Sequence, residues 1–157
     1  MQENLLGLVE QAGVVGAGGA GFPTHVKLKA QADTVIINGA ECEPLLRVDQ
    51  QLMALQAGDL LDALDLLVEQ VGASQGVVAL KEHYHAAVEA LERELSRHPK
   101  LRIHRMGAFY PAGDEQVGQQ HAALPRLHAR VGQHGAHRGG VVRDVLVRPP
   151  AAGQARL

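Results

Sequence analysis

The sequence predicts a layered α/β fold with a largely parallel sheet. Three observations lead there. Short apolar or alternating runs recur at 34–38 (Thr-Val-Ile-Ile-Asn), 76–80 and 101–106. Longer stretches with helical apolar spacing stand between them, at 59–71 and 83–97. Strand–helix–strand alternation favours parallel pairing, because each crossover helix must bury its apolar stripe on the sheet.

The elements follow in order. A short helix is predicted over 4–12, with Leu5, Leu8 and Val9 on one face and Asn4 as its cap. Residues 16–21 hold four glycines in six positions and form a loop. Pro23 suits the first turn of a second helix reaching about Ala30, since its missing N–H has no helical partner to lose. The run at 34–38 reads as a buried strand and 39–44 as the turn leaving it. A helix over 49–56 takes Asp49 as cap. In the helix over 59–71 the apolar face is Leu60, Leu61, Leu64, Leu67 and Val71. The helix over 83–97 offers Ala86, Val88, Ala90, Leu91 and Leu95. A turn at 110–115 follows the third strand, and 141–147 is a weak fourth strand. The whole is Rossmann-like. Ligands in such folds sit at the carboxyl ends of strands, where the turns after the first and third strands both fall.

Composition narrows the function classes. A chain of 157 residues suits one domain, and 46% hydrophobic with only 3% aromatic residues implies an aliphatic core. A net charge of −2 makes no general case for a nucleic-acid partner. No apolar run reaches the roughly 18 residues of a membrane span, so no direct membrane insertion is expected. No basic, then apolar leader opens the chain, which reads as cytoplasmic. The lone cysteine, Cys42, cannot form an internal disulfide or supply the thiolate set of an iron–sulfur cluster, and reads as a small packing residue.

Character changes near residue 116. Residues 1–116, read as the folded domain, carry a net charge of −7, and residues 117–157 carry +5. In the second stretch Ala, Gly, Arg, His and Pro make up 26 of 41 residues, too little bulk to offset the entropy of ordering. It is read as a low-complexity basic tail. The options are a disordered linker, a basic arm, or the favoured one, the product of a shifted reading frame. Without aromatics to stack bases, nucleic-acid binding is not favoured. His121, His128, His134 and His137 read as solvated loop residues, so no metal site is assigned.

Three motifs carry chemistry. In GAGGAGFPTHVK, Gly16, Gly18, Gly19 and Gly21 allow close approach to a ligand. The helix behind them would point N–H groups at a phosphate, and Lys27 would add a positive charge. Gly16, Gly18 and Gly21 also fit a dinucleotide fingerprint, with Glu41 the acid 20 residues on. A strand should precede that fingerprint, yet a short helix is predicted. His25 reads as an exposed helix residue. In NGAECEP, Asn38 ends a strand, and Glu41 and Glu43 could bond ribose hydroxyls or a nicotinamide amide, or form a solvated acidic turn. In YPAGDE, Tyr110 could pack on a ring, Gly113 allows close approach and Glu115 adds an acid.

Taken together and in order, these motifs resemble the complex I 51 kDa flavin-subunit family. The nearest likeness is to its branch of RnfC proteins, from the Rnf electron-transport complex, and propanediol-utilisation cobalamin reductase, over residues 1–116. The resemblance implies an FMN-binding oxidoreductase of electron transport that takes hydride from NADH and passes electrons to iron–sulfur centres. It implies that Gly16, Gly18, Lys27, Asn38, Glu41, Gly113 and Glu115 surround the flavin, and that Phe22 and Glu43 touch the nicotinamide nucleotide. No residue is implied as catalytic acid or base, because the flavin carries the chemistry. Expected partners are NADH and an iron–sulfur domain or subunit, in the cytoplasm, peripheral to a membrane complex or in a bacterial microcompartment. The sequence departs from the complex I protein at Ala17, where that protein has Arg, and at Ala40, where it has Asp. The family's later segments, which complete the pocket and add a β-grasp and a cluster domain, are not recognised after YPAGDE. The chain is therefore read as truncated. Two readings stay open: a flavin-binding part of such a protein, or an inactive remnant or non-catalytic interaction subunit.

Overall fold

A computed structural model describes residues 5–16, 21–40, 45–107 and 144–148. The elements are α1 (Leu5–Gln11), α2 (Thr24–Lys27), β1 (Thr34–Asn38), α3 (Val48–Leu55), α4 (Ala57–Gln70), β2 (Gln75–Lys81), α5 (His85–Leu95), β3 (Leu101–Met106) and β4 (Asp144–Arg148). The strands form one sheet in the order β3-β2-β1-β4. β1, β2 and β3 are parallel, in the register Asn38 to Ala79 and Lys81 to Met106. β4 runs antiparallel to β1, from Thr34 against Arg148 to Asn38 against Asp144. The weak strand expected over 141–147 is present from Asp144; its first three residues, the cap Asn4 and the turn at 110–115 lie outside the described residues.

β1 is buried at every position, which is why it reads as an unbroken apolar run and not an alternating one. Its residues alternate between two cores. Val35 and Ile37, with Val78 and Leu80 of β2, face Leu61, Leu64 and Val68 of α4 and Ala87, Val88 and Leu91 of α5. Ile36, Val77, Ala79 and Met106 form a second buried cluster. Contact with the first layer is close enough to demand glycine at 76. A Cβ there would lie 2.5 Å from Leu101 Cδ2 and 2.9 Å from Leu64 Cγ.

Helical phase differs from expectation in several places. In α4 the inward stripe is Leu61, Leu64 and Val68, with Val71 buried just past its end; Leu60 and Leu67 are only partly buried. The spacing of three, four and three residues keeps one line on a 3.6-residue helix, and it selects Val68. In α5, Ala87 is buried and Ala86 exposed. In α1, Leu6 and Val9 meet the core and Leu8 is exposed, because α1 lies at the periphery and turns only a narrow face inward. Asp49 is not a cap: Arg47 holds that position and Asp49 lies fully buried in the first turn of α3.

The turn from α5 into β3 is tied to α4 by a buried histidine. His98 Nδ1 lies 2.5 Å from Asp65 Oδ2, and its other ring nitrogen lies 3.8 Å from Asp62 Oδ1. Among the described residues no helix is long and apolar enough to cross a membrane.

Candidate functional site

The three parallel strands end on one rim. β1 stops at Asn38, opposite Ala79, while β2 and β3 run on to Lys81 and Met106. The Gly39 N–H donates to the Ala79 carbonyl at 2.7 Å, so the chain leaving β1 stays against β2 for one more residue. Asn38 is largely buried, and its Oδ1 accepts the Ala40 N–H at 3.1 Å. An asparagine bonding its own backbone two residues on turns the chain sharply and fixes the amide plane. Gly39 allows that turn to sit beneath α3: a Cβ would come within 2.6 Å of Met53 Sδ.

The glycine-rich bend is closed by main-chain bonds across its neck. The Gly16 N–H donates to the Phe22 carbonyl at 2.8 Å, and the Thr24 N–H donates to the Val14 carbonyl at 3.1 Å. Val15 and Pro23 pair as an antiparallel bridge between these bonds. Gly21 adopts φ of 59°, a left-handed conformation that a side chain would strain, and a Cβ on it would meet none of the described residues within 4 Å. Beyond the neck, Lys27 Nζ lies 5.7 Å from the centroid of the half-exposed Phe22 ring.

Two expectations about this bend are corrected. α2 is one turn, and Pro23 precedes it in extended conformation (ψ 121°) because its backbone is engaged in the bridge to Val15. The Thr24 N–H is committed to Val14, so a one-turn helix with an occupied leading donor offers little of the dipole or open N–H supply expected for a phosphate. His25 is not exposed. It is largely buried, with Nε2 3.6 Å from Glu10 Oε1, which ties α2 to α1.

Among the expected site residues, the structure joins Gly16, Gly21, Phe22 and Lys27 in the bend and its flank, and sets Asn38 on the sheet rim. Gly18, Gly19, Glu41, Glu43, Gly113 and Glu115 lie outside the described residues. Three further residues stand at the rim that sequence reasoning does not single out for a site. Met53 is the residue seated on Gly39. Asp49 lies one helical turn before it. His104 shares a row across the sheet with Ala79 and Asn38. Burial, and secondly the positive charge of Arg102, push the His104 imidazole below the ordinary histidine value. The signal that could have found them is topological: once β1, β2 and β3 are taken as parallel, residues near their carboxyl ends become neighbours. Among the described residues no group of three or more His, Cys, Asp or Glu could hold a metal ion.

A helix, α1, leads into the bend and no strand precedes Gly16 among the described residues, so the ordinary dinucleotide fingerprint lacks its setting. The family model of the Nuo51 FMN-binding domain, the complex I 51 kDa type, matches residues 9–130. The chain belongs to this family. Cobalamin reductase PduS of Citrobacter freundii is 54% identical over 107 residues, covering 68% of this chain and 23% of that protein. The C subunit of the Na(+)-translocating ferredoxin:NAD(+) oxidoreductase complex of Acetobacterium woodii is 37% identical over 142 residues, 88% of this chain and 32% of that protein. The chain thus spans between 23% and 32% of the length of these relatives. Among solved structures, the NAD+-reducing NiFe hydrogenase in its H2-reduced state superposes with a TM-score of 0.63 at 26% identity, over 80% of this chain and 26% of that one. The chain carries the FMN-binding domain of electron-transfer proteins of the complex I 51 kDa, RnfC and cobalamin reductase type.

Proposed function

We propose that this chain binds FMN, that the bound flavin takes hydride from NADH, and that the electrons leave to iron–sulfur centres held in another domain or subunit. The observation that carries the reading is the family match over 9–130, which spans the closed glycine bend and the strand end bearing Asn38. The residues fit such a ligand. The bend is short of side chains, and no described residue lies within 4 Å of where a Cβ on Gly21 would stand. Lys27 brings a cation and Phe22 an apolar ring beside it. Asn38 contributes an amide whose orientation is set by the Ala40 bond.

Lys27 would offset negative charge on the ligand, and Phe22 would cover a planar ring and exclude water from it. Asn38 would hydrogen-bond polar ring or ribityl atoms. Gly18, Gly19, Glu41, Gly113 and Glu115 would complete the flavin site, and Glu43 with Phe22 would meet the nicotinamide nucleotide. The flavin, when bound, supplies the exchange between two-electron and one-electron chemistry.

The test is a titration of FMN into the purified chain, followed by flavin fluorescence. Quenching that saturates in the micromolar range is expected, and anaerobic NADH should then bleach the visible absorption of the bound flavin. Absence of saturable quenching at micromolar flavin refutes the reading. Quenching without bleaching keeps FMN and removes NADH.

A further inference from the structure

Asp49 has no capping role and is buried, so its carboxylate needs an explanation. The residue is 0% exposed, and both carboxylate oxygens are shielded from solvent. Burying a charge is costly unless hydrogen bonds or opposite charge compensate it. Two compensations are evident: Asp49 takes part in a polar or electrostatic interaction, and the first turn of α3 favours a negative charge through its peptide dipoles. Stability alone does not call for an acid here, because apolar residues of similar volume often serve as well as buried ionic groups.

The orientation of α3 says what the carboxylate is near. Met53 follows Asp49 by four residues, so the two share one face of the helix, and both are buried. Met53 rests on Gly39, the first residue after β1. While α3 as a whole packs mainly against α5, Met53 on that face, one turn after Asp49, meets the chain leaving β1. That chain begins with the Asn38 turn, closed by the bond from the Ala40 N–H to Asn38 Oδ1.

We propose that Asp49 is a positioning residue of the flavin site: its carboxylate registers the first turn of α3 against the end of β1 and so holds Asn38, Gly39 and Ala40 in their present turn. The inference rests on the functional reading above. A neutral side chain of the same shape would loosen this register, and the Asn38 amide would meet the ligand in more than one orientation. At metal sites, the partners that orient the ligating groups typically carry about ten- to a hundredfold in affinity, and the same scale is taken for an orienting partner here.

The experiment compares the full chain with its Asp49→Asn variant. FMN dissociation constants and visible spectra of the bound flavin are measured below the unfolding range, and thermal midpoints in separate melts. Asp49→Asn is expected to weaken FMN about tenfold and to shift the bound flavin's spectrum. Leu61→Val, a change in the buried face of α4, should lower the midpoint and leave both ligand readouts alone. If Asp49→Asn does not fold, Asp49→Glu keeps the charge, displaces it by a methylene and carries the same expectation. An Asp49 variant that binds FMN with wild-type affinity and spectrum overturns the inference while leaving the functional reading intact. A wild-type chain that takes up no FMN overturns that reading, and this inference with it.

Discussion

Replacing Gly39 by Ala tests whether the strand end is held by close packing beneath α3. Gly39 does not adopt a left-handed φ, so the substitution brings no backbone strain; what it lacks is space. The new Cβ would stand 2.6 Å from Met53 Sδ, 2.9 Å from Met53 Cε and 3.3 Å from the Ala79 carbonyl oxygen. Ordinary contact between such atoms needs about 3.5–4.0 Å. Met53 is only 1% exposed and cannot swing into solvent. The Ala79 carbonyl is held by the Gly39 N–H at 2.7 Å, so moving it away breaks a bond. Overpacking of this kind costs about 1–3 kcal/mol. Stiffening of the unfolded chain returns about 0.4–1 kcal/mol. A net loss of about 1–2 kcal/mol should lower the thermal midpoint by about 2–8 °C.

A double-mutant cycle gives the sharper result. Met53→Ala removes the obstructing thioether at a cost of about 2–5 kcal/mol, and in that background Gly39→Ala should be nearly neutral. The coupling, read from urea unfolding of the four proteins, should therefore be about 1 kcal/mol or more. If Gly39→Ala costs the same with Met53 present or absent, Met53 is not what excludes a side chain at 39, and close packing does not hold the strand end. The single variant should also weaken FMN, because Asn38 is its neighbour in the turn.

The other expectations divide structure from ligand binding. Gly76→Ala meets three buried side chains, with Leu101 Cδ2 at 2.5 Å, Leu64 Cγ at 2.9 Å and Val68 Cγ2 at 3.0 Å; it should cost stability in urea titrations and leave FMN affinity unchanged. Lys27→Ala should weaken FMN by about 1–2 kcal/mol in fluorescence titrations, and added salt should narrow the gap from wild type. His104 has a lowered folded pKa from burial and the Arg102 charge, so the unfolded chain binds its proton first. Stability should fall as pH drops below about 6.5 toward the folded value, and in thermal melts across that window His104→Gln should flatten the slope.

Much of the fold was legible because its signals are local and agree. The run Thr34–Asn38 is β-branched and flanked by polar or glycine residues, and it is β1 to the residue. Leu101–Met106 is β3 with the same bounds, and α5 falls inside the segment expected for it. Less legible was which side of each helix turns inward, because that depends on tertiary neighbours. Leu8 and Leu6 are equally apolar, and only the placement of α1 decides that Leu6 is the one partly buried against the core. Asp49 misled for a related reason. An acid just before an apolar helical run looks like a cap, while a buried acid one step inside that run has the same local sequence.

The candidate site shows the same limit at its glycines. In sequence Gly21, Gly39 and Gly76 are alike, each a small residue beside an apolar stretch. In the structure they answer three different demands: a left-handed bend at Gly21, a helix seated on a strand end at Gly39, and side chains from α4 and β3 pressed onto a strand at Gly76. Substituting Ala tells them apart physically, since the first is strained by backbone conformation and the other two by space alone. Of the three, only Gly21 meets no described residue where its side chain would be, whereas Gly76 is enclosed by core. Gly39 stands between, enclosed by Met53 on one side and joined on the other to Asn38, so it is where packing of the fold and orientation of the site are decided by the same atoms.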